Sequence, residues 1–195
     1  MWLLTERCSA EVRFMGHIRW LTLTFVVALF GGLVTPVHAQ VLMAQDEALH
    51  RAFPDSTSVR RRSLVLTAEK IGAIERAEQL RLKPGIVTYF VGYRDTQFLG
   101  IATIDTGVVR THQAVFMSVF SPDGVLKDVF VLAFNEPPEY VPTEGWFNQF
   151  RGKKRDEPLI PGKDVAGVMG STLSVQAITG SVRRMQAIFG LFTTD

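Results

Sequence analysis

The sequence predicts an α+β fold: an antiparallel sheet flanked by helices in a single domain. Three observations carry that reading. Between residues 86 and 134, four runs rich in β-branched and aromatic residues follow one another with short links. Links that short join antiparallel neighbours, because a parallel pair needs a crossover of about a dozen residues or more. On both sides of this block, apolar residues recur at the three- and four-residue spacing of a helix with one buried face.

Asp46 to Phe53 reads as a short helix, with Leu49 and Phe53 on one face and Pro54 as its stop. Asp55 to Arg62 is polar, and Arg60-Arg61-Arg62 reads as a solvated turn. Thr67 is an N-cap for a helix from Ala68 to about Leu80, whose apolar positions are Ile71, Ile74, Ala77 and Leu80. Lys83-Pro84-Gly85 ends it. Ile86 to Tyr93 and Gln97 to Asp105 follow as strands around an Arg94-Asp95-Thr96 turn. His112 to Phe120 and Val125 to Phe134 are the clearest pair. Ser121-Pro122-Asp123-Gly124 between them suits a type I turn, with Pro second and Gly fourth.

The texture then changes. Asn135 to Tyr140 is a stiff loop, since Pro137 and Pro138 oppose both helix and ladder pairing. Thr143 to Phe150 reads as a short helix with Trp146, Phe147 and Phe150 on one side, and Gly152 to Pro161 as a charged loop. Gly170-Ser171-Thr172 opens a last helix running to about Phe189. Leu173, Ala177, Ile178, Val182, Met185 and Phe189 form its apolar face, and Arg183, Arg184 and Gln186 its polar side.

The chain has 195 residues and a formal charge of +2, with 21 basic against 19 acidic side chains. That balance gives no field that would favour nucleic acid as a partner. Residues 1–39 read as a secretory signal: Arg13, His17 and Arg19 precede an apolar run from Leu21 to Val34, and Val37-His38-Ala39 is a small-x-small exit. The alternative is an uncleaved anchor, although the run is short of the roughly 20 residues a span needs. Met15 is an alternative start. Cleavage after Ala39 leaves a helical segment over 40–84 and the main domain over 85–195. It also removes Cys8, the one cysteine, and leaves His50 and His112. Disulfides, thiolate clusters and a zinc site of several His or Cys ligands are then excluded. Redox chemistry in such an exported chain would rest on an organic cofactor or on a metal held by oxygen ligands.

The residues with most to offer chemically are Gly170, Ser171, Thr172, Leu173 and Ser174. A helix N-terminus presents unpaired N–H groups and a positive dipole end, and glycine with hydroxyl residues beside it suits an anion. Taken alone, the run reads as an ordinary Ser/Thr helix cap ahead of a ligand site.

Gly170-Ser171-Thr172-Leu173-Ser174 resembles the flavin-attachment motif of the FMN-binding domain family, written Ser/Thr-Gly-Ala-Thr followed by Leu-Thr/Ser. That family includes the flavin subunits of the sodium-pumping quinone reductase and of the Rnf complex. The similarity extends from Gly100 to Phe189. It takes in the Asp123-Gly124 turn before a Val-rich strand, the Glu136-Pro137-Pro138 loop, and Trp146-Phe147-Asn148-Gln149-Phe150-Arg151-Gly152-Lys153, which matches a Phe-x-x-Gln-Phe-x-Gly-Lys segment. Met169 stands where the family has Ser or Thr, Ser171 replaces its Ala, and Asp164 lies eight residues before Thr172 where the family has an acid about six before.

The resemblance implies FMN as cofactor, joined through its phosphate to Thr172 as a phosphoester by a flavin transferase. Gly170, Ser171, Leu173, Ser174 and Glu136 would be its neighbours. It further implies electron transfer on the extracytoplasmic side, in the periplasm or at the membrane, with a membrane-bound redox partner. The role is that of an electron carrier rather than a stand-alone enzyme. Two alternatives stay open: a flavin-free accessory or binding module of the same fold, and a small flavin reductase with a dissociable cofactor. The Trp146, Phe147 and Phe150 aromatics are open to core packing or flavin stacking.

Overall fold

The computed structural model describes residues 40–78 and 80–192, so the signal reading of residues 1–39 lies outside the described residues. Five strands pair in chain order: β1 (Ser58–Leu66), β2 (Gly85–Arg94), β3 (Gln97–Val109), β4 (His112–Phe120) and β5 (Leu126–Phe134). Every neighbouring pair is antiparallel. The helices are α1 (Gln45–Ala52), α2 (Ala68–Glu78), α3 (Glu144–Phe147) and α4 (Thr172–Ile188), with short 3-10 turns at Pro138–Tyr140, Asn148–Phe150 and Phe189–Leu191. The α+β expectation, an antiparallel sheet flanked by helices, holds.

Side chains alternate across a strand, so the sheet has two distinct faces. One carries Leu64, Tyr89, Val91, Ile101, Phe116, Phe120 and Val129, and packs against α2, α4 and the aromatic segment around Trp146 and Phe150. The other carries Phe90, Ala102, Met117, Val119 and Leu132, and is covered at one end by α1 through Ala48, Ala52 and the adjacent Phe53. Phe53 sits directly on β2 at Gly92, where a Cβ would stand 2.7 Å from its ring. Residues 40–42 run along the outer side of β5: Leu42 N–H donates to the Leu132 carbonyl, and Phe134 N–H to that of Gln40. Val41 bridges Ala133.

The Asp55–Arg62 stretch is the main departure from the sequence reading. Instead of a solvated turn at Arg60-Arg61-Arg62, residues 58–66 form β1 and pair with β2 along their whole length. The segment 40–84 therefore contributes a strand as well as helices. β1 is the outer strand of the sheet, and only Leu64 and Leu66 in it are buried. A charged edge strand has no alternating apolar signature, and charge there discourages pairing with other chains. β3 also runs four residues past the expected end at Asp105, to Val109. The expected turn at Ser121–Gly124 is present, closed by Gly124 N–H donating to the Ser121 carbonyl at 2.9 Å.

α4 lies across β3. A Cβ at Gly107 would stand 3.0 Å from Phe116 and 3.6 Å from Ala177, so the absent side chain lets the helix approach the strand. Two positions on α4 depart from the expected faces. Gln186 is buried and donates to the Lys154 carbonyl at 3.1 Å, because the loop after Gly152 covers that end of the helix. Leu173 is 45 % exposed, at the other end of α4 in its first turn.

Candidate functional site

The loop leading into α4 is gripped from one side. Trp146 Nε1–H donates to the Ala166 carbonyl at 2.7 Å, and Ala166 N–H donates to Gln149 Oε1 at 2.7 Å. Both groups of one residue are thus satisfied by the α3 segment, and its position is fixed four residues before Gly170. Trp146 packs edge-on against Phe147 and Phe150, with centroids 5.2 Å apart in each case. Trp146 and Phe150 belong to the core, where they act as a buttress for the loop.

Gly170 has φ +80° and makes the entry to the helix. No atom lies within 4 Å of a Cβ built there, so glycine is required by conformation and not by crowding. Ser171 is buried at the N-cap, and its carbonyl accepts from Val175 N–H at 3.0 Å. Its side chain makes no capping hydrogen bond, and the first turn of α4 contains no acidic residue. The N–H groups of Thr172, Leu173 and Ser174 precede the first intrahelical bond, which leaves the positive end of the helix open. Thr172 is exposed at this end, beside the fully exposed Met169. Ser174 is 1 % exposed, and its Oγ is buried without a hydrogen-bond partner.

Facing this turn is the β3–β4 hairpin. Val109 pairs with His112, leaving Arg110 and Thr111 as a two-residue loop. Arg110 has φ +51°. The first central residue of such a loop favours the left-handed side, which glycine occupies most easily. The Arg110 guanidinium lies 4.8 Å over the Tyr140 ring, and no carboxylate pairs with it among the described residues. Between hairpin and helix is a cavity of about 220 Å³, lined by Val109, Arg110, Tyr140 and residues 170–174.

Glu136 lies behind the hairpin and does not line the cavity. Its Oε1 accepts from Thr111 N–H at 3.2 Å and from His112 Nδ1–H at 3.0 Å. The His112 hydrogen bond holds the Glu136 carboxyl below its usual range; burial pushes the other way, and the Thr111 N–H adds to the lowering. The carboxylate ties the end of β5 to the loop that carries Arg110.

No protein-family model matches this sequence, and no curated protein matches it.

The site joins five of the expected residues, Gly170, Ser171, Thr172, Leu173 and Ser174, at one cavity; Glu136 is connected to it through the hairpin. Arg110 and Tyr140 were not apparent in the sequence. One signal was available: an arginine at a two-residue break between β-rich runs, where turn glycine is the norm. Chemically, a cation, open amide donors and the exposed Thr172 hydroxyl suit an anion such as a phosphate ester. The donor set does not suit a metal: among the described residues no group of three or more His, Cys, Asp or Glu could hold one.

Proposed function

We propose that this chain is an exported flavin carrier. FMN is joined through its phosphate to Thr172 Oγ1, and electrons pass between it and a membrane-bound partner outside the cytoplasm. The observation that carries this reading is the setting of Thr172: an exposed hydroxyl at the open, acid-free N-terminus of α4, on the rim of a cavity that also holds Arg110. The motif resemblance supplies the identity of the group, and the residues present suit its phosphate.

When bound, the flavin ring supplies the redox chemistry. The chain holds the ester at the helix end, and an exported protein cannot lose a cofactor attached in this way. Met169 and Leu173, both exposed, flank the attachment position and offer apolar surface beside it. The ester leaves the ring near the surface, where a partner can reach it.

Intact mass of the protein made in an exporting host with an active flavin transferase tests this reading. The expected mass is that of a chain starting at Gln40 plus one FMN ester. Thr172→Ala should remove the flavin and leave stability within about 0.5 kcal/mol, since the side chain is exposed and the N-cap position is Ser171. Ser174→Ala should leave attachment intact. A wild-type protein that releases all its FMN in denaturant would overturn the covalent link.

A second reading is a flavin-free binding module of the same fold. Met169 at the motif's first position favours it, as does Asp164, whose carboxylate accepts Ile160 N–H at 2.9 Å within its own loop. It predicts a colourless protein from the same host.

A further inference from the structure

One face of the sheet is covered over only part of its length. α1 crosses it from β5, where Met43 N–H donates to the Leu132 carbonyl, to β2, where the adjacent Phe53 sits on Gly92. Toward the β3–β4 hairpin the same face is bare. Val65 pairs with Ile86, Thr106 with Val115 and Val115 with Ala133, and Val41 bridges Ala133, so one band of side chains crosses every strand. Val41, Val65, Ile86 and, two residues beyond Thr106, Val108 are between 56 % and 71 % exposed. β2 and β3 part beyond Thr88 and Ile104, which leaves Ile86 the most exposed of the four.

An antiparallel sheet with one face in water alternates apolar residues with polar ones. Here every residue that the strands place on the band is uncharged, in a chain that is 21 % charged. Contiguous apolar surface of this kind marks a contact with another body.

The shape around the band says which body fits. α1 stands above it by about 10 Å, the thickness of a helix. Its outer side carries Asp46, Glu47, His50 and Arg51, all exposed. A flat lipid surface would meet those charges before it reached the band. A second copy of this chain has the matching step. With a two-fold axis across the strands, the two bands face each other at the roughly 10 Å spacing of packed sheets, and each α1 lies beyond the end of the partner's sheet. An uncharged surface needs no opposite charge on its partner, so identical copies are not repelled. Edge pairing between copies is discouraged: β1 carries Arg60-Arg61-Arg62, and the outer side of β5 is taken by residues 40–42 and by Lys153, whose carbonyl accepts Leu126 N–H.

The area is sufficient. Strands about 4.8 Å apart make the band about 24 Å wide, and four residues per strand make it about 14 Å deep. Two such faces with their α1 shoulders bury on the order of 1,000 Å², the lower end of specific interfaces, which suits a dimer that dissociates at micromolar concentration.

We propose that this band is the interface of a two-fold homodimer, with the bare halves of two sheets packed face to face and α1 setting their register. Ile86 and its neighbours on the band are the apolar core of the contact, and Thr106, on a central strand, lies near the axis. The proposal stands without the flavin reading. α4 packs on the opposite face through Val175, Ile178 and Val182, so dimerisation leaves the Thr172 cavity open.

The test is sedimentation of the exported protein, made from the full sequence, over about 1–200 µM, a range that brackets an interface of this size. A reversible shift from monomer to dimer mass is expected. Ile86→Glu places a charge on the band at an exposed position, so it should keep the monomer's urea midpoint and weaken association about tenfold or more. Thr106→Glu and Thr106→Lys should each be monomeric alone, because like charges meet across the axis, and should form a mixed dimer when combined. That rescue is the signature of a two-fold contact and does not depend on the fate of Ile86→Glu. A wild type that stays monomeric throughout, a dimer that Ile86→Glu leaves unchanged, or Thr106 variants that do not recover on mixing overturns the proposal. Binding of a monomeric wild type to phosphatidylcholine vesicles, lost in Ile86→Glu, also overturns it and gives the face to lipid.

Discussion

Arg184 of α4 reaches Asp105 of β3 with both Nε, at 3.1 Å, and Nη2, at 2.6 Å, on one carboxylate oxygen. Nη2 also meets the Thr106 carbonyl at 3.3 Å. The pair is only partly exposed and ties the second half of α4 to β3, away from the cavity that Thr172 lines. Arg184→Ala should cost about 1 kcal/mol in urea unfolding, the upper end for a pair that water still reaches. A double-mutant cycle with Asp105→Asn should return a coupling of about 0.5 kcal/mol or more; strict additivity would show that the two side chains do not act together.

Gly100 tests the sheet itself. It faces Gly92 across β2 and β3, has φ +142°, and a Cβ there would stand 2.1 Å from the Phe120 carbonyl oxygen. Backbone strain and a backbone clash act together, so Gly100→Ala should lose about 3 kcal/mol or more. Gly85→Ala is the matched control, with no atom within 4 Å of the new Cβ, and should stay within about 0.5 kcal/mol. Equal unfolding midpoints for the two variants would contradict the β3–β4 register.

The contrast between β4 and β1 shows what the sequence carries and what it lacks. β4 is readable because six of its nine residues are buried, Phe116, Val119 and Phe120 among them, and because a proline-glycine turn closes it onto β5. β1 has two buried residues in nine, and its arginines speak of solvent rather than of pairing; only the register with β2 makes it a strand. The site divides in the same way. Residues 170–174 announce themselves because a helix end is local chemistry. Arg110 and Tyr140 join them through the sheet register and a cation–ring contact between segments far apart in sequence, and a single chain read in order contains neither.

Glu136 gives a pH dependence with a definite sign. Its folded-state carboxyl titrates below the ordinary value, first because of the His112 hydrogen bond. A depressed acid stabilises the fold above its unfolded value, and that contribution is lost as pH falls through the folded one. The stability difference between wild type and Glu136→Gln should therefore be largest above the carboxylate range and shrink steadily on acidification below it. Parallel unfolding curves at every pH would mean that Glu136 serves only as a neutral acceptor for Thr111.

Trp146 links the core to the candidate site, so its loss should be felt in both. Trp146→Phe keeps an aromatic ring for Phe147 and Phe150 but removes the Nε1–H donor to the Ala166 carbonyl. Ala166 is exposed, so water can take over its carbonyl and the lost bond costs about 1 kcal/mol; the smaller ring adds a cavity term. Ala166 leads directly to Gly170, so the loop entering α4 should loosen where the variant is still folded. Its destabilisation overlaps the range expected for Arg184→Ala, which leaves this loop untouched; comparing the two separates local positioning from general stability. In protein made with an active flavin transferase, the FMN-bearing fraction by intact mass should fall in Trp146→Phe and hold in Arg184→Ala. If both variants retain full attachment, the Trp146–Ala166 bond serves the core alone; if both lose it in proportion to stability, attachment follows folding and not the placement of Thr172.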